Sequence, residues 1–198
     1  MKRDFRHYFA YGVNMNIEVL RQKEVNPRCI GVVRLAGYRV GFYGYSAIWD
    51  GAVETVIKDA RADVWGVLYA LRFSECEQLD ECEDTRIDGA GNYFHYPVEV
   101  IDIDNKIQDA IIYKKSILGE PALPSQEYLN IIIQGAKKQG VPKEYLAILE
   151  NTAMKPASYA VPRYPKRGWK RIVSDECKVC EELIKKNRQA WIKNNFRC

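Results

Sequence analysis

The stretch YFAYGVNM, residues 8–15, begins as an apolar, aromatic strand and stops at a glycine and an asparagine. The chain continues as a short helical pattern in which Asn14 or Asn16 is the N-cap. A strand that passes into a helix through Gly-X-Asn points several backbone N–H groups towards one place. These groups could receive a carboxylate or a developing oxyanion, although a plain strand–turn–helix junction gives the same pattern.

Outwards from this stretch, strand-like segments come first and helical patterns come late. This order predicts an α+β fold with a mixed, strongly curved or barrel-like β-sheet, flanking helices and a C-terminal helical extension. The spacing of Ser74 and Glu77 predicts a capping box. Ser125 and Gly140 should bound a later helix. The remaining predicted strands occupy 29–46, 51–59, 62–72, 93–102 and 106–115, and the remaining predicted helices occupy 74–84, 124–140, 142–152 and 174–195.

The composition of the 198 residues, 47% hydrophobic and 28% charged, excludes the disordered and collagen-like classes. No apolar run approaches the ~20 residues that a membrane span needs. The basic N-terminus also lacks the apolar core of a signal peptide. We therefore expect a cytoplasmic protein without a membrane partner, in which the six cysteines are free thiols. Cys177 and Cys180 form a CxxC with no second ligand pair, so we expect no metal site.

The charge is unevenly placed and suggests two parts. Residues 153–198 carry twelve Lys and Arg against four Asp and Glu, whereas residues 1–152 carry 18 against 22. We predict a catalytic domain over 1–152 and a basic arm with a C-terminal helix, 153–198, packed on it. A solvated basic helix face is the favoured interpretation of the tail. A surface that steers an anionic partner comes second, and nucleic-acid binding comes last because the preceding body is acidic.

A second local feature is the acidic segment LDECEDTRIDGAGNY, residues 79–93, near the end of a predicted helix. Acids gain no dipole stabilisation at a helix C-terminus. Crowding raises carboxyl pKa values, so a partly buried member could act as a general acid and base near neutral pH. A solvated acidic loop is the simpler alternative. The five acids between positions 80 and 88 are Asp80, Glu81, Glu83, Asp84 and Asp88.

Four segments in order resemble the γ-glutamylcyclotransferase family of the AIG2-like superfamily, and the resemblance covers residues ~8–150. The family's N-terminal YGSN loop corresponds to YFAYGVNM. The resemblance implies the γ-glutamylcyclotransferase-like fold and an enzyme that releases 5-oxoproline from γ-glutamyl amides, as in glutathione metabolism. The other matching segments are GAVETV with DVWGVLYAL, LDECED followed by YFHYPVEV, and PSQEYLNIIIQGAKKQGVPKEYLAIL.

The same resemblance implies the roles of the site residues. Glu83, the second Glu of L-D-E-x-E, would move the protons, and Glu81 is the reserve candidate. Tyr128, of the Pro-Ser-x-x-Tyr start, would help to line the glutamyl pocket, although a buried structural tyrosine is the alternative. The family needs no metal or organic cofactor, its partner is a small γ-glutamyl substrate, and a homodimer is left open. The remaining substrate-binding candidates are Tyr8, Phe9, Ala10, Tyr11, Gly12, Val13 and Asn14.

Val13 departs from the family pattern, which usually has serine there. A valine keeps the backbone N–H but removes one hydroxyl. Its β-branch also disfavours a positive φ, so we expect Gly12 to take the strained backbone angle. The missing hydroxyl favours a rival interpretation, a family member that binds a small ligand or partner without turnover.

Overall fold

Within residues 5–86 and 88–163, which the computed structural model describes, five strands form a closed barrel in the order β1-β3-β2-β4-β5. Helices flank this barrel, so the predicted α+β fold with a barrel-like sheet is confirmed. The strands are β1 Phe5–Ala10, β2 Arg28–Ser46, β3 Gly51–Arg72, β4 Tyr93–Asp102 and β5 Ile107–Lys115.

The sheet is mixed because one of its seams is parallel. Neighbouring strands elsewhere in the barrel are antiparallel, whereas β1 and β5 close it in parallel through the pair Tyr8 and Ile111. This closure places the C-terminal end of β1 beside the middle of β5. The turn that follows β1 therefore begins at the barrel seam.

The longest strand, β3, contains an irregularity, and for this reason the sequence pattern predicts two strands in its place. The segments 51–59 and 62–72, predicted as two strands, belong to one element. The register moves from Tyr38 opposite Lys58 to Ala36 opposite Asp63, so residues 59–62 bulge out. Residues 51–56, before the bulge, are all buried, which puts every side chain of that run in a packed environment.

The helices begin and end at residues with recognisable capping chemistry. Asn16 caps α1 by accepting a hydrogen bond from the Glu18 amide, and Ser125 caps α3. Gly140 ends α3 at a φ of 79°, as a C-terminal glycine typically does. The helices are a 3₁₀ turn Val13–Met15, α1 Ile17–Gln22, α2 Phe73–Cys82, α3 Gln126–Gln139 and α4 Lys143–Glu150.

The start of α2 differs from the prediction. Ser74 with Glu77 has capping-box spacing, but the helix begins one residue earlier, after Arg72. The Glu75 carboxylate accepts a hydrogen bond from the Arg72 amide at 2.7 Å. This bond is one half of a capping box, two residues upstream of the predicted one, because an arginine side chain cannot accept from the third amide of the helix.

One hydrophobic core fills the barrel and continues under α3. Helix α3 approaches the 3₁₀ turn closely, because a Cβ at Gly135 would lie 2.6 Å from the Asn16 nitrogen. This contact fixes the turn after β1 against a helix. The largest fully buried side chains are Tyr69, Tyr128, Phe9, Met15, Leu20, Leu68, Leu71, Leu79, Ile112, Leu129, Ile132 and Leu149.

The chain divides into two compact units, Met1–Arg163 and Tyr164–Cys198. The predicted basic arm therefore begins within the first unit. There, the Lys155 carbonyl accepts from the Gln126 amide at 2.7 Å, and the Arg163 amide donates to Ile48 at 2.7 Å. The predicted terminal helix and the Cys177–Cys180 pair lie outside the described residues, and the domain boundary at 152 stays a prediction. In the described part of the chain, no helix is long and apolar enough to cross a membrane.

Candidate active site

The turn after β1 is built around Gly12, but not for the predicted reason. Gly12 has φ −126° and ψ −140°, so the expected strained angle is wrong. The glycine is needed for close approach, because a Cβ there would lie 1.6 Å from Glu54 Oε1. A carboxylate from β3 therefore lies directly against the backbone of the turn, and Val13 and Asn14 follow as the first residues of the 3₁₀ turn.

That carboxylate, Glu54, is a site residue that the sequence reasoning missed. Its Oε1 accepts a hydrogen bond from the Val13 amide at 3.0 Å, and its Oε2 accepts one from the Tyr128 hydroxyl. Glu54 is only 8% exposed. The available signal was an acid inside GAVETV, an otherwise apolar run, since buried carboxylates usually have a specific partner.

The second carboxylate of the site is Glu83, at the C-terminal end of α2. Its Oε1 accepts from the Asn14 side-chain amide at 2.8 Å and pairs with the Lys23 ammonium at 2.7 Å. The Glu83 and Lys23 side chains are 14% and 10% exposed. The structure therefore brings together the two segments, 8–15 and 79–93, that the sequence analysis singled out.

Asn14 is the residue that joins these groups. Its side-chain nitrogen donates to Glu83 and to the Tyr8 hydroxyl, the latter at 2.9 Å. Its side-chain oxygen accepts from Lys23 at 2.8 Å. Because donor and acceptor sides are both engaged, the orientation of the amide is fixed. Lys23, the residue that follows α1, is a second group that the sequence reasoning missed. A lysine at a helix end is ordinarily a solvated charge.

The acidic cluster of the sequence separates into different environments. Glu81, the reserve candidate, is exposed, whereas Glu83 contacts the turn. The Asp80 carboxylate accepts from Tyr113 and lies 2.7 Å from His95 Nε2. The remaining two acids stabilise the following loop, Asp84 by accepting from Asn92 and Asp88 from the Ala90 amide. Among the described residues, no group of three or more His, Cys, Asp and Glu could hold a metal ion.

The other predicted lining residues divide between the site and the core. Phe9 is fully buried and lies against Gly66, so its ring belongs to the core. Ala10 pairs with Val67 in the sheet. The Tyr11 hydroxyl donates to the Tyr113 carbonyl, which ties the end of β1 to β5.

Tyr128, the predicted pocket residue, reaches the same place from α3. Its amide donates to the Ser125 cap, its ring packs against Trp49 at 4.5 Å between centroids, and its hydroxyl donates to Glu54. The Pro-Ser-x-x-Tyr motif therefore positions this hydroxyl by starting a helix there. The structural and lining interpretations of Tyr128 are both compatible with this placement.

Burial dominates the electrostatics of the site. It raises the pKa of the Glu54 carboxyl above its ordinary value, and the Glu83 charge raises it further, against the hydrogen bonds from Tyr128 and Val13. Burial also raises the pKa of Tyr8, Tyr11 and Tyr128. These phenols therefore stay protonated at neutral pH and act as fixed hydrogen-bonding groups.

Known proteins resemble this chain in both sequence and structure. The model of the AIG2-like family matches residues 63–149. Gamma-glutamylcyclotransferase of Mus musculus is 30% identical over 183 residues, which cover 90% of this chain and 87% of the mouse protein. The Homo sapiens protein of the same name is 31% identical over 156 residues, or 77% and 80% of the two chains.

A solved structure named gamma-glutamyl cyclotransferase superposes with a TM-score of 0.73 at 26% identity, and the match covers 92% of this chain and 99% of the other. The named relatives are enzymes, and the matches to the mouse protein and to the solved structure cover 90% and 92% of this chain. They confirm the resemblance inferred from the four segments. The chain belongs to the gamma-glutamylcyclotransferase family.

Proposed function

We propose that this protein cyclises the γ-glutamyl group of a γ-glutamyl amide or dipeptide to 5-oxoproline and releases the free amine. The observation that carries the proposal is the contact between Glu83 and Asn14, because it joins a mostly buried carboxylate to the turn after β1. Both segments come from the stretches that match the family, and the named relatives support the reaction class.

The reaction needs little beyond correct folding of the substrate and transfer of protons. The α-amino nitrogen attacks the γ-carbonyl carbon, a new C–N bond closes a five-membered lactam, and the bond to the leaving nitrogen breaks. Two protons pass from the α-ammonium to the leaving amine, so no other reactant is consumed. Because nucleophile and carbonyl are in one molecule, holding them in the reactive geometry supplies much of the acceleration.

Glu83 is the proposed proton carrier. Its contacts with Asn14 and Lys23 both involve Oε1, so we assign proton transfer to Oε2. In this role the carboxylate takes a proton from the α-ammonium and delivers it to the leaving nitrogen. The exposed position of Glu81 makes it the weaker candidate.

The rest of the proposed site comes from residues 8–14 and Tyr128. Asn14 donates to both Tyr8 and Glu83, whereas Val13 and Tyr128 donate to Glu54. The valine in place of serine leaves a backbone N–H but no hydroxyl, and that N–H donates to Glu54, so we assign Val13 the role of holding Glu54. Other backbone N–H groups of the turn would stabilise negative charge that develops on the γ-carbonyl oxygen.

The test is turnover of a panel of γ-glutamyl amides and dipeptides, with 5-oxoproline or its derivative detected by mass spectrometry. We expect Glu83→Gln to lower kcat by about 100-fold or more, since glutamine cannot exchange a proton. Glu81→Gln is the matched control, two residues away and exposed, and should retain the wild-type rate. A Glu83→Gln protein with undiminished activity would remove Glu83 from this role, and a panel without any product would refute the proposed reaction.

A further inference from the structure

Glu54 lies where the turn after β1 would meet an anionic group of the substrate. The Val13 N–H already donates to Glu54 Oε1 at 3.0 Å. The carboxylate lies against Gly12, and glycine is the only residue type that has no Cβ to collide with it. An N–H group donates well to one acceptor at a time, so a second carboxylate could bind Val13 only by displacing Glu54.

Displacement of Glu54 is opposed from the other side of its carboxyl group. Its Oε2 is held by the Tyr128 hydroxyl, and Tyr128 is itself fully buried against Trp49. Glu54 comes from the buried run 51–56 of β3, which the barrel holds in place. The Glu54 carboxylate is therefore fixed in place beside the turn and is not a mobile surface acid.

Local charge also disfavours an additional carboxylate. Glu54 and Glu83 contact consecutive residues, Val13 and Asn14. The Lys23 ammonium is engaged with Glu83 and Asn14. Burial and the Glu83 charge both raise the pKa of Glu54, which means that they disfavour its charged form. A third carboxylate beside these two would add a further charge to the same buried place.

We propose that Glu54 determines specificity, selecting γ-glutamyl substrates whose α-carboxyl group is in amide linkage over those with a free α-carboxylate. This proposal rests on the proposed cyclisation and concerns the same site. A carboxylate can accept about four hydrogen bonds. Val13, Tyr128 and the backbone amide of Glu54 itself supply three, so Glu54 can still accept one amide N–H from the substrate. The N-terminal glutamyl residue of a peptide, when an amine is linked to its γ-carboxyl group, has this arrangement, and its cyclisation leaves a 5-oxoprolyl peptide in place of free 5-oxoproline.

The first experiment uses the wild-type chain and two substrates that differ at one group, γ-glutamyl-p-nitroanilide and its α-carboxamide. Both release p-nitroaniline, so one absorbance assay follows both. We expect kcat/KM for the carboxamide to exceed that for the carboxylate by about tenfold or more, the effect of one unmatched charged group. Equal values, or a preference for the carboxylate, would overturn the specificity proposal and leave the proposed cyclisation intact.

Two variants separate the charge of Glu54 from its occupation of the Val13 N–H. Glu54→Gln removes the charge and keeps an oxygen that can accept from Val13, whereas Glu54→Ala frees the N–H. The carboxamide preference should shrink in Glu54→Gln and shrink further, or reverse, in Glu54→Ala. Glu99→Gln, at an exposed position on β4, is the control and should keep the wild-type ratio. An unchanged ratio in both folded Glu54 variants would contradict the proposal.

Failure of the proposed cyclisation is recognised separately. If the wild type releases p-nitroaniline from neither substrate, the proposed cyclisation is wrong. The specificity proposal is then tested by binding measurements. Calorimetric titration compares 5-oxoproline with 5-oxoproline amide on the wild-type chain, without any need for turnover. Tighter binding of the amide, by about tenfold, supports the role of Glu54, whereas tighter binding of the acid, equal binding or no binding of either overturns it.

Discussion

Burial raises the pKa of the Glu54 carboxyl above its ordinary value of 4.5, so only between pH 4.5 and this higher pKa does the folded protein hold a proton that the unfolded chain has released. The free energy of unfolding therefore decreases as pH rises from about 4.5 through the folded pKa. Glu54→Gln lacks this group. We expect the melting temperature of the wild type, relative to that of the variant, to decrease as the pH is raised from 4 to 7 in calorimetric scans.

The exposed Glu99 provides the comparison for this effect, because Glu99→Gln should leave the pH profile of the wild type unchanged. A constant difference in melting temperature between wild type and Glu54→Gln across this range would show that Glu54 keeps an ordinary pKa in the fold.

Lys23 is the residue that holds Glu83 in place. Its ammonium lies 2.7 Å from Glu83 Oε1, and both side chains are mostly buried. Lys23→Met removes one partner of this pair and should lower the free energy of unfolding by roughly 3 kcal/mol. It should also lower kcat more than it changes KM, because a Glu83 without this partner is misplaced for the proposed proton transfer.

Lys23→Arg tests whether the lysine acts through its charge, because it should restore most of both the stability and kcat. Denaturant titration and steady-state kinetics on the same preparations measure the two effects. Loss of stability with unchanged kcat in Lys23→Met would assign Lys23 a purely structural role.

Among the helices, α3 supports the site through a glycine at its contact with the 3₁₀ turn. A Cβ at Gly135 would lie 2.6 Å from the Asn16 nitrogen and 2.9 Å from its Cα. Both are backbone atoms, so they cannot swing aside as a side chain can. Gly135→Ala should destabilise the protein by about 1–3 kcal/mol despite the higher helix propensity of alanine, because overpacking outweighs that gain.

The control is Asn130→Ala on an exposed position of the same helix, where only the propensity gain applies. Urea denaturation of the two variants should therefore move in opposite directions. Stabilisation by both alanines would mean that α3 can shift away from the turn without cost.

The segment that follows α4, residues 151–163, is held by the Asp50 carboxylate in the β2–β3 connection. Hydrogen bonds from the Ser158 hydroxyl and amide, and from Tyr45, lower the pKa of Asp50 from 3.8 to about 2. A depressed pKa gives stability that is present above pH 3.8 and is lost as pH falls towards 2. Asp50→Asn should lack this acid-dependent loss, as measured by melting temperatures between pH 5 and pH 2.

Asp109→Asn, on an exposed part of β5, should retain the wild-type acid profile. Trypsin offers an independent readout, because Arg163 lies within this segment and the bond after it should be cut faster in Asp50→Asn at neutral pH. Identical acid profiles for Asp50→Asn and the wild type would contradict the assigned role of these hydrogen bonds.

For the whole molecule, the sequence predicts the fold class because strand and helix periodicities are local properties. The caps Asn16, Ser125 and Gly140 are likewise recognisable from their chemistry. The single strand β3 is not, because residues 59–62 look like a turn and only pairing with β2 shows that the strand resumes in the same sheet. Barrel closure between β1 and β5 also depends on contacts that no local pattern contains.

The candidate site shows the same division. The two segments that carry Asn14 and Glu83 were recognisable from the sequence, and their contact agrees with that interpretation. Glu54 and Lys23 were missed, because an acid in a strand and a lysine after a helix are ordinary in isolation. Their meaning comes from the neighbours that the barrel gives them, Val13 for one and Glu83 for the other.

The parallel seam of the barrel and the candidate site share the strand β1. Six residue pairs join β1 to β3, whereas the seam to β5 contains the backbone pair Tyr8 and Ile111. Side chains add to this closure, because the Tyr11 hydroxyl donates to the Tyr113 carbonyl and the Tyr8 and Tyr113 rings meet edge to face at 5.3 Å between centroids. The Tyr8 hydroxyl also accepts from Asn14, the residue that contacts Glu83. One short strand therefore serves both the closure of the barrel and the placement of the proposed proton carrier.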